Sequence, residues 1–188
     1  MTFAARDKTS IDPTNPLSSL VIRSYRDADQ TTAFDLLNNG RLSEHIDPFE
    51  QNTKPREIRP AYLQRPGAHF WVATVNGPVI GMIAITEDDR KVAHIRRLRV
   101  APAWQQTPVA YRLVKTAVDH ATEAGALKIV LHTPLDAQRA KDVLGHLGFI
   151  FAGAKTLNGH RLLEFYLDLY FRPDPQESSH QEQGWRLI

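Results

Sequence analysis

The stretch Val100-Ala101-Pro102-Ala103-Trp104-Gln105-Gln106-Thr107-Pro108-Val109-Ala110 carries an apolar-basic strand into a long helix. Such a junction is built for an anion. The first-turn amides of a helix have no intrahelical acceptor, and the macrodipole favours negative charge beside them. Phosphate is the chemistry expected here. Arg96, Arg97 and Arg99, just upstream, form the densest basic cluster and suit either an acidic ligand or a solvated strand face. They lack interleaved aromatics, which argues against nucleic acid. Neither Gly-x-x-x-x-Gly-Lys-Ser/Thr nor Gly-x-Gly-x-x-Gly occurs, so nucleotide hydrolysis and dinucleotide binding are unsupported. The eight histidines include no pair three or four apart on a helix, so no metal site is expected. With no cysteine in the chain, disulfides, thiolate metal sites and a cysteine nucleophile are excluded.

The elements that must hold this junction in place belong to a chain of 188 residues, enough for one domain with a sizeable core. Apolar residues make up 42 % and charged residues 23 %, with a net charge of +2, a balance that does not suggest a polyanion-binding protein. No window is apolar enough for a membrane span, and the N-terminus lacks an apolar stretch behind Arg6 and Lys8, so a cytoplasmic location is expected. Residues 1–19 read as a flexible leader, 20–170 as the domain and 171–188 as a polar tail.

Leu20 to Tyr25 reads as a first strand, and Asp27 or Asp29 can cap a helix over Gln30 to Asn38 with Phe34, Leu36 and Leu37 as its apolar stripe. A second helix is expected around Lys54 to Leu63. His69 to Val75, Pro78 to Thr86 and Val92 to Val100 form a three-stranded meander whose first turn is Asn76-Gly77. The third strand has a fault in its alternation. Ile95 to Leu98 is a step of three where a pleat demands two, so either a β-bulge sits near Arg96 or Arg97, or Ile95 packs on the other face. Pro108 fits the first helical position. Val109, Leu113, Val114, Ala117, Val118 and Ala121 then give a helical stripe that ends at Gly125. A central parallel strand over Ala126 to His132, a helix from Asp136 to Leu147 and two strands, Phe149 to Ala154 and Leu162 to Leu169, complete the order.

Ile95-Arg96-Arg97-Leu98-Arg99-Val100-Ala101-Pro102 and Leu147-Gly148-Phe149, within this order of elements, resemble the GNAT family of N-acetyltransferases over Leu20 to Leu169. Gly67 to Ala73 and Leu131-His132-Thr133 are similar to the branch that includes cysteine S-conjugate N-acetyltransferases. The resemblance implies an α/β (α+β) fold, with a mixed, mostly antiparallel central sheet of about seven strands and helices on both faces. It also implies a pyrophosphate signature, Gln/Arg-x-x-Gly-x-Gly/Ala, at Gln105 to Ala110, with Pro108 in place of the central glycine. Proline removes a donor and adds a ring, leaving the amides of Gln106, Thr107, Val109, Ala110 and Tyr111 to face the phosphates.

The implied reaction is direct attack of a primary amine, on a small molecule or a protein, upon the thioester of acetyl-CoA. The acyl donor is then a substrate, and no metal, nucleic acid or membrane is involved; a homodimer is compatible with the chain. Backbone groups of Leu98 and Val100 are the implied partners of the pantetheine arm and thioester oxygen. His94 occupies the strand position where many members place a glutamate, and an imidazole suits the same work of proton acceptance. Glu44 and His45, in the loop flanking the acceptor, are weaker candidates, and His132 is expected to be structural. The tyrosine that often serves as acid corresponds to Leu144, and a frequent asparagine to Ala137. Tyr111 is the substitute acid if its side chain turns inward. The competing reading is a GNAT-fold module with weak or no turnover that acts as a ligand sensor or interaction partner.

Overall fold

A computed structural model describes residues 16–39, 58–134, 138–157 and 159–170. A short 3-10 turn, Pro16–Ser19, leads into β1 (Leu20–Ser24). Leu17 in this turn packs against the core. After a second 3-10 turn come α1 (Gln30–Asn39), a single π-helical turn at Arg59–Leu63, and strands β2 (Ala68–Val75), β3 (Val79–Glu87) and β4 (Val92–Val100). The rest of the chain adds α2 (Val109–Glu123), β5 (Lys128–Pro134), α3 (Gln138–His146), β6 (Ile150–Leu157) and β7 (His160–Asp168). Glu44, His45 and Ala137 lie outside the described residues.

The seven strands form one sheet in the order β1-β2-β3-β4-β5-β7-β6. Every neighbouring pair is antiparallel except β4 and β5, whose parallel pairing requires the crossover that α2 supplies. Both faces of the central strands are covered, which is why β2 reads as a nearly unbroken apolar run. Trp71, Ala73, Ile83, Ile95 and Val100 face α2 and α3 in the larger core. Phe70, Val72, Met82 and Ala84 face α1 and the π-helical turn in a second, smaller one. The first helix presents Ala33, Leu36 and Leu37 to that core, whereas Phe34, expected in the stripe, is exposed. Asn76 and Gly77 both take positive φ, 51° and 105°, as the tight turn between β2 and β3 demands.

The fault in the β4 alternation is a bulge. Met82 pairs with Arg99 but Ala84 pairs with Arg96, so Arg97 and Leu98 together oppose Ile83. Arg97 takes φ 58°, a left-handed conformation that costs a side-chain-bearing residue about 1–2 kcal/mol. The extra residue reverses the pleat. Ala93 and Ile95 before it, and Leu98 and Val100 after it, all turn to the α2 core.

Seating α2 depends on Gly81. A Cβ there would stand 3.0 Å from Leu113 Cδ1, 3.1 Å from the Arg99 carbonyl oxygen and 3.2 Å from Val109 Cγ1. Without a side chain at this point, the first turn of the helix rests directly on β3 and β4.

Candidate active site

Three features of the fold converge where β4 leaves the sheet. The first is a separation. The parallel ladder pairs Val92 with Lys128, Ala93 with Ile129 and His94 with Val130, and stops there although both strands continue. Ala101 N–H donates to the Ile80 carbonyl at 2.8 Å, so by strand alternation the backbone groups of Val100 and Leu98 point the other way, into the gap. The Val100 carbonyl there accepts a bond from Gln105 Nε2 at 3.1 Å, and the Leu98 carbonyl one from the Arg99 guanidinium at 2.8 Å. The amides of Leu98 and Val100 are left without a ladder partner.

The second feature is the helix N-terminus. Pro108 (φ −68°, ψ 7°) is the N-cap and α2 starts at Val109, one residue later than the sequence suggests. Its missing N–H falls where no helical bond is lost, and its carbonyl accepts from Arg112 N at 3.0 Å. The donors of the cradle differ from those expected. Thr107 N–H is spent on the Trp104 carbonyl at 3.1 Å, and Thr107 Oγ1 donates to the same oxygen at 2.6 Å. That hydroxyl in turn lies 3.4 Å from Val109 N, a weak contact, so Ala110 and Tyr111 amides are the clearest orphan donors. The Gln105 side chain braces Val100 at the start of this junction. A cavity of about 580 Å³ opens beside the cradle, lined by Gln106, Thr107, Pro108, Tyr111, Asp142 and His146. Tyr111 faces this cavity and is 36 % exposed, whereas Leu144 is buried in the core.

The third feature lies on the opposite face of the sheet. His94 lines a second cavity, of about 330 Å³, with Tyr62, Arg65, Glu87, Asp88 and Arg96. Its Nε2 is 3.5 Å from Asp88 Oδ2, and its buried Nδ1 has no hydrogen-bond partner. Burial and then the charge of Arg96 hold the imidazole below its ordinary pKa of 6.5, against the opposing pull of Asp88. It is therefore neutral at physiological pH and able to accept a proton. Asp88 itself is held low, chiefly by the amides of Val92 and Arg90 that its Oδ1 accepts at 3.1 and 2.9 Å. His132 follows the point where the strands separate, and its Nε2 bonds Glu164 Oε2 at 2.9 Å while Lys155 holds the other oxygen at 2.7 Å. His132 is thus fixed on the wall of the gap.

The structure brings His94, Leu98 and Val100 to one edge and Gln106, Thr107, Val109, Ala110 and Tyr111 to the adjoining helix end. His94 and Tyr111 lie in separate cavities on opposite faces of the sheet. Arg65, Tyr62 and Asp88 were not singled out from the sequence. For Asp88 the signal was present: Thr86 pairs with His94, which places the β3–β4 turn beside the imidazole. Tyr62 and Arg65 reach the site through the packing of the π-helical turn on the sheet, with the Tyr62 and Phe70 rings 5.4 Å apart and Arg97 Nε 3.4 Å from the Tyr62 hydroxyl.

The profile of the acetyltransferase (GNAT) family matches residues 35–149 of the chain. N-acetyltransferase 8 of Rattus norvegicus is 31% identical over 112 residues, covering 57% of this chain and 50% of that protein. N-acetylaspartate synthetase of Xenopus tropicalis is 28% identical over 102 residues, covering 54% and 38%. The chain thus spans about half or less of the length of these curated relatives. Among solved structures, a GNAT-family acetyltransferase from Staphylococcus aureus superposes with a TM-score of 0.68 at 18% identity, over 80% of this chain and 99% of that one. A spermidine N-acetyltransferase from Vibrio cholerae, in complex with CoA and spermine, gives 0.64 at 20% identity, over 81% and 96%. These two likenesses concern the fold.

Proposed function

Because the chain belongs to the acetyltransferase (GNAT) family, we propose that it transfers an acetyl group from acetyl-CoA to a primary amine by direct attack. One observation carries the reading. The strands part immediately after His94 and Val130, leaving the amides of Leu98 and Val100 facing the gap, with one cavity at the anion cradle and another at a neutral histidine on the opposite face. In this reading the pyrophosphate of the donor substrate sits on the amides of Ala110 and Tyr111, assisted by the helix dipole. The pantetheine arm lies along β4 as a substitute strand. The amide of Leu98 or Val100 donates to the thioester oxygen as negative charge develops on it.

The amine enters from the other face. Its nitrogen attacks the thioester carbon, His94 accepts the proton released from that nitrogen, and the carbon–sulfur bond breaks to give the amide and CoA thiolate. Tyr111 lines the cavity beside the cradle and is the candidate to protonate the thiolate. Calorimetric titration with acetyl-CoA and CoA, followed by thiol release across a panel of amines, tests the whole scheme. Binding of the donor with amine-dependent thiol release is expected. Failure to bind either ligand at millimolar concentration refutes it, and binding without release across a broad panel points to a sensor.

A further inference from the structure

A line of polar side chains crosses the sheet on the face that carries His94, and acyl transfer as described uses only the first of them. Ala93 and Ile95 on β4, and Ile129 and Leu131 on β5, turn to the α2 core, so His94, Val130 and His132 share the other face. His94 is level with Val130, and His132 is the next residue on that face, just past the point where the strands part. Glu164 lies opposite His132 on β7, and Lys155 reaches it from β6. His132 Nε2 is 2.9 Å from one Glu164 oxygen, and Lys155 Nζ is 2.7 Å from the other. The His132 and Glu164 side chains expose only 8% and 14% of their surface. Burial pushes Glu164 up, but the bonds from Lys155 and His132 outweigh it and hold the carboxyl below its ordinary value.

We propose that His132, held by Glu164, is a positioning residue for the base: the charge on His132 decides when His94 is free to take up a proton. The inference rests on the acyl-transfer reading for the role of His94 and adds a second histidine to it. Paired strands lie about 4.8 Å apart and two residues rise about 6.6 Å, which puts the two backbones at least about 8 Å apart. Like charges at that distance shift one another's titration by about 0.4–1.5 pH units, between an aqueous and a protein-surface dielectric. The other groups facing His94 are Glu87 and Asp88 at the end of β3, Arg96 on its own strand, and Tyr62 and Arg65 from the π-helical turn. Burial first and then Arg96 hold the imidazole low, and His132 acts in the same direction. Glu164 and Lys155 offset each other, so the protonation of His132 is what changes the charge on this flank.

The test follows the imidazole C–H signals of the full chain by NMR from about pH 4 to about pH 8, with His94→Ala and His132→Gln to assign them. In the wild type each of the two curves is expected to inflect at both midpoints, as coupled groups do; two independent single-proton curves overturn the proposal. His132→Gln should raise the His94 midpoint by about 0.4–1.5 units, whereas His132→Lys, which keeps a cation beside Glu164, should leave it low. A histidine that only braces the sheet predicts a lower melting temperature in both variants with the His94 midpoint unmoved, and that result also overturns the proposal. The acid limb of amine-dependent thiol release should move with the midpoint. A midpoint that moves while the limb stays overturns His94 as the base, and the positioning role with it, and leaves only the coupling of the two histidines.

Discussion

Replacing Gly81 by alanine isolates the coupling between packing and the anion cradle. The added methyl meets Leu113 Cδ1 at 3.0 Å, the Arg99 carbonyl at 3.1 Å and Val109 Cγ1 at 3.2 Å. Carbon pairs prefer about 3.5–4.0 Å, so each neighbour must yield by several tenths of an ångström. Leu113 can rotate, but the Arg99 oxygen belongs to the strand and Val109 is the first residue of α2. Relief therefore requires the helix end to lift. Overpacking of this kind costs about 1–3 kcal/mol. For a domain of this size the corresponding fall in melting temperature is roughly 2–12 °C. Because the displaced turn carries the Ala110 and Tyr111 amides, affinity for CoA should fall by about tenfold or more, the value of one charge-assisted bond. Thermal unfolding and calorimetry with CoA, on the same preparations, measure both quantities. A variant that melts at the wild-type temperature and binds CoA unchanged would show that the close approach at Gly81 does not position the cradle. A fall in stability without any loss of affinity would refute the coupling alone.

Four further substitutions have expected outcomes. His94→Ala should lower kcat by about a hundredfold, the lower end of general-base contributions, with little change in CoA binding. Since burial and Arg96 hold His94 below 6.5, activity should fall on the acid side only below that pH as the base is protonated. Asp88→Asn, which removes the anion that raises the imidazole, should move that limb to still lower pH; a limb moving upward contradicts the assignment. Pro108→Gly should keep CoA affinity or tighten it, since glycine is acceptable at an N-cap and adds a donor; a tenfold loss in calorimetry would show that the ring is part of the site. Asp29→Asn should destabilise by about 2–3 kcal/mol, because the buried carboxylate accepts two bonds from Arg23, at 2.7 and 2.8 Å, and one from Arg26 N at 2.8 Å. These bonds depress its pKa below 3.8, so the contribution is full above that value and is lost on acidification through the lower, folded-state pKa. Chemical denaturation of wild type and variant at pH 7 and pH 3 measures it.

Much of the meander was legible because its signals are local. Asn76-Gly77 announces a turn through φ alone, and the three-residue step from Ile95 to Leu98 is an arithmetic consequence of a pleat with one residue too many. The orientation of Phe34 was not legible, since a helix stripe shifted by one residue reads nearly as well until its partner surface is known. The cradle was legible as a place but not as a set of donors. Whether Thr107 N–H is available depends on the local fold of Pro102 to Thr107, where Trp104 captures it. The pocket around His94 was least visible. Tyr62 and Arg65 are separated in sequence from His94, and tertiary contacts place that turn over β4: Tyr62 edge-to-face on Phe70, and Arg97 Nε donating to the Tyr62 hydroxyl at 3.4 Å.

The parting of β4 from β5 has a mechanical side. Three register pairs join β1–β4 to β5–β7, whereas seven join β5 to β7. The seam is therefore the weakest line in the sheet, and an extended ligand bridging it would act as a strut. Hydrogen exchange should report this as protection gained on both sides of the seam when CoA binds, reaching amides in β5 that no bound phosphate touches.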